Sequence, residues 1–184
     1  MHPVLATLTA AAVGFAPNNH AHHRQATAHK ATTGTTMARA HLSALESNLL
    51  LDINGTRRQR GLRPFRLSLK LKAAANQHSV SMARKGYFSH DSANGGAFWK
   101  RIASFYSYSG YRSWSVGENL LWSSPEITPS GALRMWMNSP EHRANLLDRS
   151  WREIGLSAVH VTNAPGVYNG DEVTIVTADF GVRS

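Results

Sequence analysis

Apolar residues recur at three- and four-residue spacing through Leu42, Leu45, Leu49, Leu50 and Ile53, one stripe of a first helix that runs to about Arg60, in a globular part starting near Met37. Gly61 suits the position just past its end and Pro64 forbids continuation, so Gly61-Leu62-Arg63-Pro64-Phe65 predicts a turn. Ser68 is a natural cap for a second helix, in which Leu71, Ala74, Ala75, His78 and Met82 share a face and Gly86 supplies the stop. Phe98, Trp99 and Ile102 predict a short third helix, and residues 116–122 read as a first strand. Thr128-Pro129 opens a helix through Trp136, and Ser139-Pro140 repeats that signal for a short helix carrying Glu141 to Leu147. Two β-rich runs, 154–162 and 172–182, are joined by residues 163–171, whose Pro-Gly and Asn-Gly pairs predict a hairpin connection. Two helices thus precede any strand, and the order predicts an α+β fold with a small antiparallel sheet covered by helices.

Composition narrows the class. With 42% hydrophobic residues in 184, the chain has apolar material for one substantial core, and its 17% of charged residues is below the roughly 25% of an average soluble protein. The absence of cysteine excludes disulfides, thiolate metal sites and Cys nucleophiles together. No apolar run reaches the ~20 residues of a bilayer span. Residues 1–16 carry no charge and end an apolar stretch in small residues, as the later part of a secretory signal does, although no Lys or Arg precedes that stretch. Residues 17–36, with His20, His22, His23 and His29, have no periodicity and read as a linker, which leaves 37–184 as the domain and an extracellular location as the expectation.

The net charge of +9 is unevenly placed: between Ile53 and His90 lie nine basic residues and no acid. Leu62, Phe65, Leu69 and Leu71 interleave with them and are expected to face the core. That would leave Arg60, Arg63, Arg66, Lys70 and Lys72 as a surface able to attract polyanions, or simply as a solvated face.

Three polar residues sit inside packing-oriented segments: His90 in Phe88-Ser89-His90, Glu118 in Gly117-Glu118-Asn119, and His142 in Ser139-Pro140-Glu141-His142-Arg143. His142 falls near the third helical position, where the helix dipole disfavours an added proton and leaves an imidazole able to bind a metal or accept a proton; an exposed capping role is the alternative. Glu118 in a buried strand needs a cation, a histidine or a metal as partner, or serves as a structural hydrogen-bond anchor. Sequence spacing alone does not join the three. His78 reads as a buried histidine bonded to backbone, Trp136 and Trp151 as core or cleft wall, and Ser139 as a cap rather than a nucleophile.

Asn54-x-x-Arg57 with Gly61-Leu62-Arg63-Pro64, the Phe88-Ser89-His90 corner, Gly117-Glu118-Asn119, Trp136-x-x-Ser139-Pro140-x-His142-Arg143-x-Asn145-Leu146-Leu147, Ile154-Gly155 and Asp179-Phe180-Gly181 resemble the CAP superfamily. This is the group of cysteine-rich secretory, antigen 5 and pathogenesis-related proteins, also called the SCP domain, here in its bacterial branch. The resemblance runs from about Leu42 to Val182. It implies an α-β-α sandwich and a cleft in which His90, Glu118 and His142 hold a divalent metal, usually zinc. The second glutamate of animal and plant members has no match around Trp136. It also implies a structural partner for Arg57.

Fold alone does not settle function. One expectation is an extracellular binding module for a lipid or an anionic envelope polymer. A second is a metal-dependent hydrolase with Glu118 as base. A third is nucleic-acid binding through residues 57–72, which no recognition motif accompanies.

Overall fold

The computed structural model describes residues 42–184. The expectations for residues 1–16 and 17–36, and for a domain start near Met37, concern residues outside that range. The described part orders as α1 (Ala44–Gln59), β1 (Arg66–Leu67), α2 (Leu69–Lys85), α3 (Phe98–Phe105), β2 (Trp114–Ser123), α4 (Pro129–Asn138), α5 (Pro140–Leu147), β3 (Glu153–Val161) and β4 (Val173–Arg183), with one 3-10 turn at Gly166–Tyr168.

The first helix begins at Ala44 because Ser43 and Glu46 form a capping box, each side chain accepting the other's backbone N–H. Leu42 therefore precedes the helix instead of lying on its stripe. Arg60 closes the helix and Gly61 follows with φ of +67°, as the turn signal predicted. Ser68 caps α2, and Gly86 ends it in the left-handed conformation. A side chain at Gly86 would also strike the backbone at Pro165 and Gly166, so this stop is where the β3–β4 connection crosses α2.

The sheet order is β1-β3-β4-β2. Strands β2–β4 and β3–β4 are antiparallel, but β1 pairs parallel to β3. The expectation that two helices precede any strand is thus corrected by two residues. They are held by backbone bonds from Arg66 N to Arg152 O and from Ser68 N to Ile154 O, which leave no side-chain pattern to read.

Alternation along the strands sorts side chains to two faces. On one, Leu121, Leu156, Val176, Ala178 and Phe180 pack with Leu49 and Ile53 of α1, Trp136 of α4 and Leu146 of α5. On the other, Leu120, Trp122, Val173 and Ile175 meet Met82 of α2, and Val116 meets Phe98 and Ile102 of α3. Helices cover both faces, which is the α-β-α layering. Helix α2 approaches β3 so closely that a Cβ on Gly155 would lie 2.1 Å from the α2 backbone at Leu71 and Lys72.

The basic segment is less free than its sequence suggests. Lys72 donates to Glu46 at 2.9 Å, and the same carboxylate accepts the Ala158 N–H, tying α1, α2 and β3 together. Lys72 therefore leaves the set of available surface cations. Leu69, expected inward, is 54% exposed because the capped first turn of α2 turns it outward, while Phe65 and Leu71 are buried. Arg57 is buried and donates to the carbonyls of Arg63, Leu146 and Asp148.

Candidate functional site

The α2/α3 face of the sheet buries a row of ionisable groups. Glu118 of β2 and Asp179 of β4 are in register with each other and point to the same face. His90 arrives on the corner after Gly86, and Arg101 on the inner side of α3. Glu118 is 2% exposed and Asp179 fully buried, so each charge here needs a partner.

Glu118 has two. Its Oε1 accepts from His90 Nδ1 at 2.8 Å, and its Oε2 accepts from the Arg101 guanidinium. Arg101 also donates to the His90 carbonyl at 3.0 Å, fixing the corner that carries the imidazole. Burial pushes the Glu118 carboxyl up, but Arg101 and the His90 hydrogen bond outweigh it and hold the group below the usual carboxylate range. Asp179 goes the other way. Burial and the neighbouring Glu118 carboxylate raise it well above the ordinary aspartate range against a smaller opposing effect of Arg101. The two buried carboxyls are thus driven apart, Glu118 towards its charged form and Asp179 towards its protonated form.

His142 lies at the third position of α5, behind Pro140 and Glu141, and is buried rather than an exposed cap. Its backbone is held by Asn119, whose Nδ2 donates to the His142 carbonyl at 2.9 Å. Asn145 in turn donates to Asn119 Oδ1 and to the Glu118 carbonyl, so the Gly-Glu-Asn strand and the Ser-Pro-x-His helix are tied residue by residue. Burial, then the nearby His90, lower the His142 pKa and favour the neutral ring. Ser139 occupies the cap position without a capping bond; its hydroxyl donates to Glu141 Oε2 at 3.3 Å, which corrects its expected role.

His78 is buried, and its Nε2 donates to the Ser89 carbonyl at 2.8 Å. Since a carbonyl can only accept, Nδ1 carries the lone pair of the neutral ring. Burial pushes this histidine down to about 4, so it is uncharged at neutral pH.

Each of His90, His142 and His78 keeps one buried ring nitrogen without a hydrogen-bond partner: Nε2, Nε2 and Nδ1 respectively. For His90 the cause is plain, because Nδ1 donates its hydrogen to Glu118, which leaves the lone pair of the neutral ring on Nε2. The expected set of His90, Glu118 and His142 does not close as three donors around a point. Among the described residues, the group of three whose ligand atoms all approach within 4.8 Å is Glu126, His160 and Glu172. Glu118 stands behind His90, as the carboxylate partners of metal-bound histidines do. Sequence reasoning missed Arg101 and Asp179.

A cleft of about 460 Å³ opens beside this row, lined among others by His78, Lys85, Tyr87, Asn94, Lys100 and Arg101, with no acidic residue in its wall.

The sequence profile of the cysteine-rich secretory protein family, CAP, matches residues 50–180. The chain belongs to the CAP family. Bacillus subtilis YkwD is 33% identical over 144 residues, which cover 78% of this chain and 53% of that relative; the chain spans about half its length. An extracellular SCP-domain protein of Bacillus anthracis is 26% identical, with a TM-score of 0.54 over 73% of this chain and 39% of that one. An outer surface protein of Borrelia burgdorferi matches with a TM-score of 0.60 over 78% of this chain and 98% of that one, at 18% identity, a likeness of fold. In this CAP domain the Gly-Glu-Asn and Ser-Pro-x-His-Arg-x-Asn elements are the segments that Asn119 and Asn145 bind together.

Proposed function

We propose that the chain is an extracellular CAP-domain binding module in which His90 and His142 take a divalent cation of the zinc type beside a cationic ligand cleft. The observation that carries this reading is the pair of buried Nε2 atoms on neighbouring imidazoles, neither spent on a protein partner. Buried ring nitrogens are costly to leave unpaired, and a metal ion satisfies both. A bound cation would supply a fixed positive charge with open positions for water or an anionic group. The protein's own part is to orient His90 through Glu118, keep His142 uncharged and exclude bulk water.

The extracellular assignment rests on the Bacillus anthracis relative, and no helix among the described residues is long and apolar enough to cross a membrane. The cleft with Lys85 and Lys100 in its wall favours a ligand bearing an anionic group, a lipid headgroup or an envelope polymer; Arg60, Arg63, Arg66 and Lys70 extend the same preference elsewhere on the surface. Hydrolysis with Glu118 as base fits less well, because both its oxygens are engaged and it is shut from solvent. Nucleic-acid binding through residues 57–72 is weakened by the burial of Arg57 and the pairing of Lys72.

Zinc titration calorimetry on the full chain tests the reading, with His20, His22, His23 and His29 changed to Ala so that the N-terminal tract is silent. Changing His90 and His142 together to Ala is expected to weaken one binding event at least about tenfold. Unchanged isotherms would remove the metal from the His90–His142 pair.

A further inference from the structure

At one end of the sheet, His160 of β3 pairs in register with Thr174 of β4, which also opposes Ser123 of β2. Glu126 lies three residues beyond β2 and Glu172 immediately before β4, so three separate segments converge there. By strand alternation His160 shares the face of Leu156 and Ala158, opposite the face that carries Glu118. We infer that Glu126, His160 and Glu172 form a second, surface site for a first-row divalent cation of the zinc type. It is independent of the reading given above.

The orientation of the imidazole is set by Thr174. Its hydroxyl lies 3.0 Å from His160 Nδ1 and, more distantly, 3.4 Å from the Pro125 carbonyl; with the hydroxyl proton turned to that carbonyl, its oxygen accepts from Nδ1. Thr174 is itself 4% exposed and flanked by strands on both sides, which makes it a fixed anchor rather than a floating surface contact. With the Nδ1 proton directed inward, Nε2 is the outward atom, and it faces Glu172 Oε1 at 3.0 Å. A ring lone pair and a carboxylate oxygen tolerate that separation only across a positive charge, which is either a proton on Nε2 or a metal ion.

Glu126 decides between them. One proton serves His160 and Glu172, yet a Glu126 oxygen also lies within 4.8 Å of both their ligand atoms. Two carboxylates around one imidazole balance a dication better than a single proton. Two ligands on a tetrahedral zinc lie roughly 3.3 Å apart, which the 3.0 Å His160–Glu172 contact approaches, and the Glu126 oxygen within 4.8 Å of both is the third donor. The nitrogen donor selects a zinc-like ion over calcium or magnesium, which prefer oxygen alone. Three protein ligands leave a position for water, and the bound ion would staple the β2–α4 loop to the β3–β4 hairpin.

The test uses Zn²⁺ alone on the nitrogen-15-labelled full chain above pH 7, following each histidine ring separately by long-range proton–nitrogen correlation. Zinc is expected to move the His160 Nε2 resonance while Nδ1 stays protonated. Glu126→Gln, Glu172→Gln and Thr174→Val should each weaken that response at least about tenfold. His90→Ala with His142→Ala should leave it unchanged, so failure here and failure of the cleft site are read independently. A His160 Nε2 signal unmoved by millimolar zinc, or Gln variants that respond like the parent, would reduce the cluster to a His160–Glu172 ion pair and overturn the proposal.

Discussion

Replacing Arg101 by leucine is expected to cost about 3–5 kcal/mol of folding stability at neutral pH, as removing one partner of a buried ion pair does. Arg101 is 8% exposed and bonds both Glu118 and the His90 carbonyl, so its loss leaves a buried carboxylate with one hydrogen bond and frees the corner that positions His90. The loss should shrink in acid, because Glu118 can then escape its unpaired charge by protonation. It should also be largely recovered in the double variant Arg101→Leu with Glu118→Gln. Urea unfolding at pH 7 and pH 4.5 gives both numbers. A cost below about 1 kcal/mol, the range of an exposed pair, would mean that Glu118 is not held as an anion by Arg101.

Acidification supplies the second large effect. His78 is held at about 4 in the fold against 6.5 in the unfolded chain, so the unfolded state binds more protons between these values. The stability His78 contributes is complete above pH 6.5, falls as the pH drops towards 4, and levels off below. A shift of this size corresponds to about 3 kcal/mol. Asp179 acts with the opposite sign. Its carboxyl keeps a proton in the fold that the unfolded chain releases above about 3.8, so its contribution declines as pH rises. The clean observable is therefore the difference between the parent and His78→Gln, in which the Asp179 contribution is common to both. Gln can still donate to the Ser89 carbonyl. The parent should lose about 3 kcal/mol more than the variant between pH 6.5 and 4. Parallel profiles would mean that His78 is not a buried neutral ring.

Much of this fold was legible because helix ends are written in local chemistry. Ser68, Gly86, Thr128 and Pro129 each stand where the backbone needs a cap, a left-handed residue or a preset φ, and the structure places element boundaries there. The same chemistry was present in Ser43-x-x-Glu46 and passed over in favour of an apolar stripe that began too early. Strand β1 was not legible, since two residues joined through their backbone carry no periodicity. At the site, His90 and Glu118 stood out as polar groups in apolar surroundings, and the structure brings them to 2.8 Å. Two equivalent signals went unread. Arg101 lies on the Phe98–Ile102 stripe of α3, and Asp179 interrupts the apolar run of β4 just as Glu118 interrupts β2. Which of two buried carboxylates keeps the proton depends on where Arg101 falls in space, and that no spacing rule supplies.

Anomalous diffraction from crystals of the full chain grown with zinc would locate a metal at the His90–His142 pair outright. A zinc peak is expected about 2.0–2.1 Å from Nε2 of both His90 and His142, with Glu118 still bonded to His90 Nδ1 and to Arg101. The absence of such a peak, or a zinc ligated by Glu118 with its bond to His90 broken, would contradict the paired-imidazole site.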